Sequence, residues 1–209
     1  MQNYLLKIKY YLLVFPLFLI ACNPHVEKGF EKIPPGLSLT EDLIRAIRPD
    51  KDYQYWACIR QDFSGKIHPK TEIITGHGNI SYLMNNKFDQ PQSGFLAKMW
   101  SGYFYIAYVE KDSLKLVTSR AELIRFIGKI DGLEEALLLA EIDDLAVDYD
   151  RDIGGAYQKT KKGFEFYLAR FRKCTVRTEP FRVSIDSMGN IKAKSLGFYY
   201  NVDDTRCYD

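Results

Sequence analysis

Histidine is scarce in this chain, with three in 209 residues, His25, His68 and His77. No two of them share helical spacing, and His-Glu-x-x-His and Cys-x-x-Cys are both missing. A catalytic zinc site therefore has no visible ligands. A Gly-x-Ser-x-Gly elbow and a Ser-x-x-Lys are absent too, as are the glycine loops that cradle phosphate. Charge of one sign is not in excess, with 29 Lys and Arg against 27 Asp and Glu, which argues against nucleic acid as a partner. The longest apolar run, Tyr10 to Cys22, has 13 residues, short of the roughly 20 that a spanning helix needs. No cofactor is expected from this inventory.

What is present begins at the N-terminus. Lys7 and Lys9 stand without an acid, the apolar run follows, and the chain turns polar at Asn23. That order reads as a secretory signal over residues 1–21. Ala21 would suit an ordinary signal peptidase, but Leu19 would not. Leu19-Ile20-Ala21-Cys22 instead resembles the lipobox of bacterial lipoproteins. The resemblance covers the first 22 residues. It implies that the Cys22 thiol is lipidated and becomes the new N-terminus, with two or three acyl chains holding the protein on a membrane. Residue 23 is Asn rather than Asp, so the inner-membrane retention signal of enteric lipoproteins is absent and the outer membrane is slightly favoured.

Without residues 1–21 the chain has 188 residues and 27 basic groups against 27 acidic ones, since Lys7 and Lys9 are lost. That length suits a single domain, and 46% hydrophobic content supports a core. Asn23 to Gly36 ("NPHVEKGFEKIPPG") reads as a flexible tether behind Cys22, so the expected division is 22–36 tether and 37–209 globular domain.

The globular part reads as α+β, a mainly antiparallel sheet with a C-terminal meander and two or three short helices packed on it. "SLTEDLIRAIR" opens with a capping-box spacing, Ser38 to Glu41, and Pro49 closes the helix. "YQYWACIRQDF" predicts a strand. Glycines and prolines break any pattern from 64 to 95, with a short helix allowed over Ile80–Asn86. "YFYIAYVE-KD-SLKLVTS" predicts two strands joined at Lys111-Asp112, the first apolar on both faces and so central. Two more capping boxes, Ser119 with Glu122 and Asp131 with Glu134, predict two helices, and Gly128 ends the first. "GAYQKT-KKG-FEFYLARFRKC" predicts a hairpin, continued by the alternating run at 181–186 and by "IKAKSLGFYY".

Three cysteines remain after Cys22. In the meander, Cys174 ends one strand and the tail from Asn201 can reach back to it, so Cys174 with Cys207 is the expected disulfide and Cys58 a buried free thiol. Asp148, Asp150 and Asp152 repeat at two-residue spacing, as in the first part of a calcium loop that resembles an EF-hand. Glycine comes one residue late, at Gly154, and Lys159 stands where the bidentate glutamate should be, so a solvated acidic turn is preferred over a metal site. Ten Lys or Arg against three acids between 159 and 194 give a basic stretch, read as charges paired across strands. Tyr53, Tyr55, Trp56, Trp100, Tyr103 and Tyr105 are read as core under helices rather than as a sugar-stacking face. His77, in "TGHGN", is read as a turn residue. Asp112-Ser113-Leu114 and Asp186-Ser187-Met188 resemble the Asp-Ser/Thr-apolar tripeptide of a bacterial O-glycosylation system, which makes Ser113 and Ser187 candidate modification sites.

These readings lead to an envelope lipoprotein, anchored to the membrane through Cys22, with a non-catalytic binding or structural domain for a protein or glycan partner. A carboxylate-dependent hydrolase acting on glycans or peptides is the alternative, since paired acids suffice for glycoside hydrolysis. An inhibitor or immunity-type lipoprotein is the third possibility.

Overall fold

A computed structural model describes residues 25–37, 39–63, 70–81, 89–98, 101–172 and 176–202. The signal segment, Cys22, Ser38, Trp100, Cys174 and Cys207 lie outside the described residues, as does most of the Ile80–Asn86 segment.

The strands form two antiparallel sheets. The first contains β1 (Glu31–Lys32), β7 (Gly155–Thr160), β8 (Gly163–Arg172), β9 (Val176–Asp186) and β10 (Ile191–Ser195) in that order, and β11 (Tyr200–Val202) pairs the other part of β9. The second runs β3 (Lys70–Gly78), β2 (Tyr55–Asp62), β5 (Gly102–Glu110) and β4 (Leu96–Lys98), with β6 (Ser113–Val117) also on β5. Three helices, α1 (Thr40–Arg45), α2 (Arg120–Ile127) and α3 (Leu133–Ile142), join both sheets into one core. The expected α+β architecture is thus present, with the antiparallel strands divided between two sheets.

Alternation explains the layering. In the first sheet Phe164, Phe166 and Leu168 of β8 and Phe181, Val183 and Ile185 of β9 face the helices. In the second, Trp56 and Cys58 of β2 and Phe104 and Ile106 of β5 do so. α3 is buried continuously from Glu135 to Ala140, as a helix between two sheets must be. β5 is buried on both faces, which is why its sequence is apolar throughout. Its turn into β6 places Lys111 at φ 51° and Asp112 at φ 59°, the doubly left-handed pair of a two-residue hairpin.

The α2 capping box is formed: Ser119 Oγ accepts from Glu122 N at 3.3 Å, and Glu122 Oε2 accepts from Ser119 N at 3.0 Å. Gly128, at φ 77°, ends that helix. At α3 the cap lies one residue later than the spacing predicts. Gly132 takes the N-cap, and Glu135 rather than Glu134 accepts from the backbone of Gly132 at 3.3 Å and Asp131 at 3.4 Å. Burial holds the Glu135 carboxyl above its usual range while the same amides pull against that rise.

Three further expectations change. The tether is shorter than 22–36: β1 pairs with β7, Phe30 packs edge-on against Tyr167 with centroids 4.9 Å apart, and Ile33 is fully buried. "IKAKSLGFYY" is not one strand, because Gly197 at φ 93° separates β10 from β11. The glycines of "TGHGN" belong to β3 rather than to a turn. A Cβ on Gly76 would stand 2.5 Å from the Trp56 carbonyl, so close strand approach requires glycine there.

Of the aromatic residues expected under helices, the five described are buried, but on both faces of the second sheet. Tyr53 and Trp56 pack on Phe126 of α2. Tyr55, Tyr103 and Tyr105 form a separate buried cluster on the opposite face with Ile59 and Val109.

Candidate functional site

A cleft of about 370 Å³ opens at one end of the second sheet, between the start of α1 and the ends of β2, β4 and β5. Its charged and polar lining is Thr40, Glu41, Arg60, Asp62, Lys98 and Ser101, set over Tyr103 and Phe104. Each is delivered by regular structure. Thr40 and Glu41 sit in the first turn of α1, Arg60 and Asp62 close β2, and Lys98 ends β4.

The charges are cross-paired. Arg60 Nη1 donates to Glu41 Oε1 at 2.6 Å and Nη2 to Glu72 Oε2 at 2.6 Å, so one guanidinium ties α1 to β2 and β3. Lys98 Nζ and Thr40 Oγ1 both donate to Glu141 Oε1, the latter at 2.6 Å, which ties β4 and α1 to the last turn of α3. Arg45 Nη1 donates to the Ile74 carbonyl at 2.9 Å beside them. Charged bonds of this kind are stronger than neutral ones and more directional when a guanidinium forks between two acids. The arrangement can hold a polar ligand over the start of β5. To act as a general acid or base, Glu41 would have to leave its cation.

Local sequence reading missed this cleft because its members are spread from residue 40 to residue 141. A signal was present: Arg60 and Lys98 each interrupt an apolar strand, in "WACIRQ" and "FLAKM". Gln61, 2% exposed, is a similar polar residue inside β2 and accepts from Thr71 Oγ1 at 2.9 Å.

The sequence-derived candidates lie elsewhere. Asp148 is buried, accepting from Asp150 N at 3.0 Å and from the Tyr199 hydroxyl. Asp150 is exposed, and Asp152 lies 3.9 Å from Lys32 Nζ. Asp148 thus fixes a turn and anchors Tyr199, and no group of three or more potential ligands exists among the described residues. His77 is exposed on β3 opposite Trp56 and does not line the cleft. Ser113 is exposed at the start of β6. Ser187 is half-buried, its amide donating to Lys162 O and its carbonyl accepting from Ile130 N, both at 2.9 Å. The basic stretch, expected as outward-facing charges paired across strands, is partly internal: Arg170 donates to the Asp143 carbonyl at 3.2 Å and lies over Phe181, with 4.8 Å to the ring centroid. Arg182 pairs with Glu165 and, at 3.1 Å, with Glu27.

No protein-family model, curated protein or solved structure matches this chain.

Proposed function

We propose that this protein is an envelope lipoprotein, anchored through acyl chains on Cys22, whose domain is a non-catalytic binding or structural module. The observation that carries the domain reading is the cleft's charge pairing. Arg60 between Glu41 and Glu72, and Lys98 with Thr40 on Glu141, brace five elements against one another. A carboxylate committed in this way is suited to holding a surface in shape, and the cleft offers charged and hydrogen-bonding edges to a glycan or peptide. The lipobox and the basic, apolar leader support the anchor, and Asn23 supports the outer membrane. Ser113, exposed beside a tight turn, is the better placed of the two serines to receive a sugar, and the proposed modification belongs there.

The carboxylate hydrolase keeps one observation in its favour, since Glu41 and Asp62 line the same cleft. Two measurements separate the readings. The intact mass of protein taken from its host's membranes should begin at Cys22 and include acyl chains; an unmodified chain, or one retaining residues 1–21, overturns the anchor. Incubation with glycan and peptide panels should give no turnover. Turnover abolished by both Glu41→Gln and Asp62→Asn would replace the binding module with the hydrolase.

A further inference from the structure

The outer face of the first sheet has features that the cleft does not use. By alternation, Glu165, Tyr167 and Phe171 of β8, Arg182 and Ser184 of β9, and Lys192 and Lys194 of β10 point away from the helices. The N-terminal segment lies on this face. Glu27 N donates to the Tyr167 hydroxyl at 3.4 Å, and Phe30 stacks under the Arg182 guanidinium, with 4.4 Å to the ring centroid.

Chain length then fixes where the anchor must be. Five residue steps separate Cys22 from Glu27, a reach of at most ~18 Å when fully extended. A domain tied that closely cannot turn this face far from the lipid. Charge agrees with the placement. Arg182 is neutralised by Glu165 and Glu27, and Asp186 folds its carboxylate onto Met188 N and Asn190 N, both at 2.9 Å. Lys28, Lys192 and Lys194 are exposed and none lies within ion-pair distance of an acid among the described residues, although Lys192 acts on Asp186 at longer range. Phe171, 49% exposed, adds an apolar ring on the same face, a group that surface-lying elements bury at the headgroup boundary.

We infer that the outer face of the first sheet rests on the bilayer, with Lys28, Lys192 and Lys194 against anionic phospholipid headgroups. The inference depends on lipidation of Cys22 and adds a fixed orientation to it. Juxtamembrane lysines gain from an anionic surface only within about a Debye length, ~8–10 Å, a separation that the short link allows and the exposed lysines would favour.

Lysine acetylation read by mass spectrometry tests it on the acylated protein. In vesicles of phosphatidylethanolamine and phosphatidylglycerol, Lys28, Lys192 and Lys194 should react several-fold more slowly than in neutral detergent micelles. Lys70 and Lys111, on the second sheet, should keep their rates. In the acylated double variant Lys192→Glu, Lys194→Glu, Lys28 should regain its micelle rate on vesicles. Uniform reactivity, or protection centred on Lys70 and Lys111, overturns the orientation while leaving the anchor standing. Protection in host membranes but not in lipid-only vesicles assigns the face to a protein and equally overturns it. Intact mass on the same sample keeps the two readings apart, because a missing acyl mass removes the anchor itself and the orientation with it.

Discussion

Single residues in this protein show how burial decides chemistry. Cys58 is fully buried between two strands, and desolvation pushes its thiol well above the ordinary value. Iodoacetamide should therefore leave Cys58 unmodified in the native protein and alkylate it only after denaturation, as peptide mass mapping will show. Tyr105, on the opposite face of the same sheet, is pushed up to about 12 by the same loss of water. Glu122 behaves in the opposite sense. Backbone donation from Thr118 leads the causes that hold its carboxyl below the usual range. A carboxylate with a depressed folded-state pKa contributes stability that is present above the unfolded value and lost as pH falls through the folded one. Glu122→Gln, which keeps an acceptor but drops the charge at the α2 N-terminus, should cost about 0.5–1 kcal/mol at neutral pH. Urea midpoints should show that difference closing as pH falls below the usual carboxylate range and through the lowered folded-state value.

Elements differ in how far their own residues announce them. α2 is legible because everything that defines it is local: Ser119 and Glu122 three apart, and Gly128 at the stop. The β5–β6 hairpin is legible for the same reason. α3 misleads by one residue because Asp131-x-x-Glu134 and Gly132-x-x-Glu135 fit the same spacing, and only burial, a property of the whole fold, selects Glu135. β1 gives no local sign, since a two-residue strand beside two prolines takes its partner from residues 156 and 157. The cleft was hidden similarly, its ion pairs joining residues 12 to 43 positions apart. Ile33 is where the revised boundary can be measured. If residues 31–33 belong to the fold, Ile33→Ala should destabilise the protein by about 2–4 kcal/mol in urea unfolding. A tether residue would cost nothing measurable.

The molecule as a whole is organised by connections between distant segments. β11 sets Val202, five residues before Cys207, beside Val176, two residues after Cys174. We propose that those cysteines are bridged. The mature mass should then be two hydrogens below the reduced value, and reduction should lower stability by about 3–4 kcal/mol. β1 makes the longest connection in the first sheet, pairing Glu31 with Tyr157. During synthesis the first strand has no partner until more than half of the remaining chain has been made. Ordering so distant a pair is slow, because loop closure precedes any reward. Under the export proposed above, in which the chain would cross a membrane channel before folding, this late-arriving partner acts as a built-in delay.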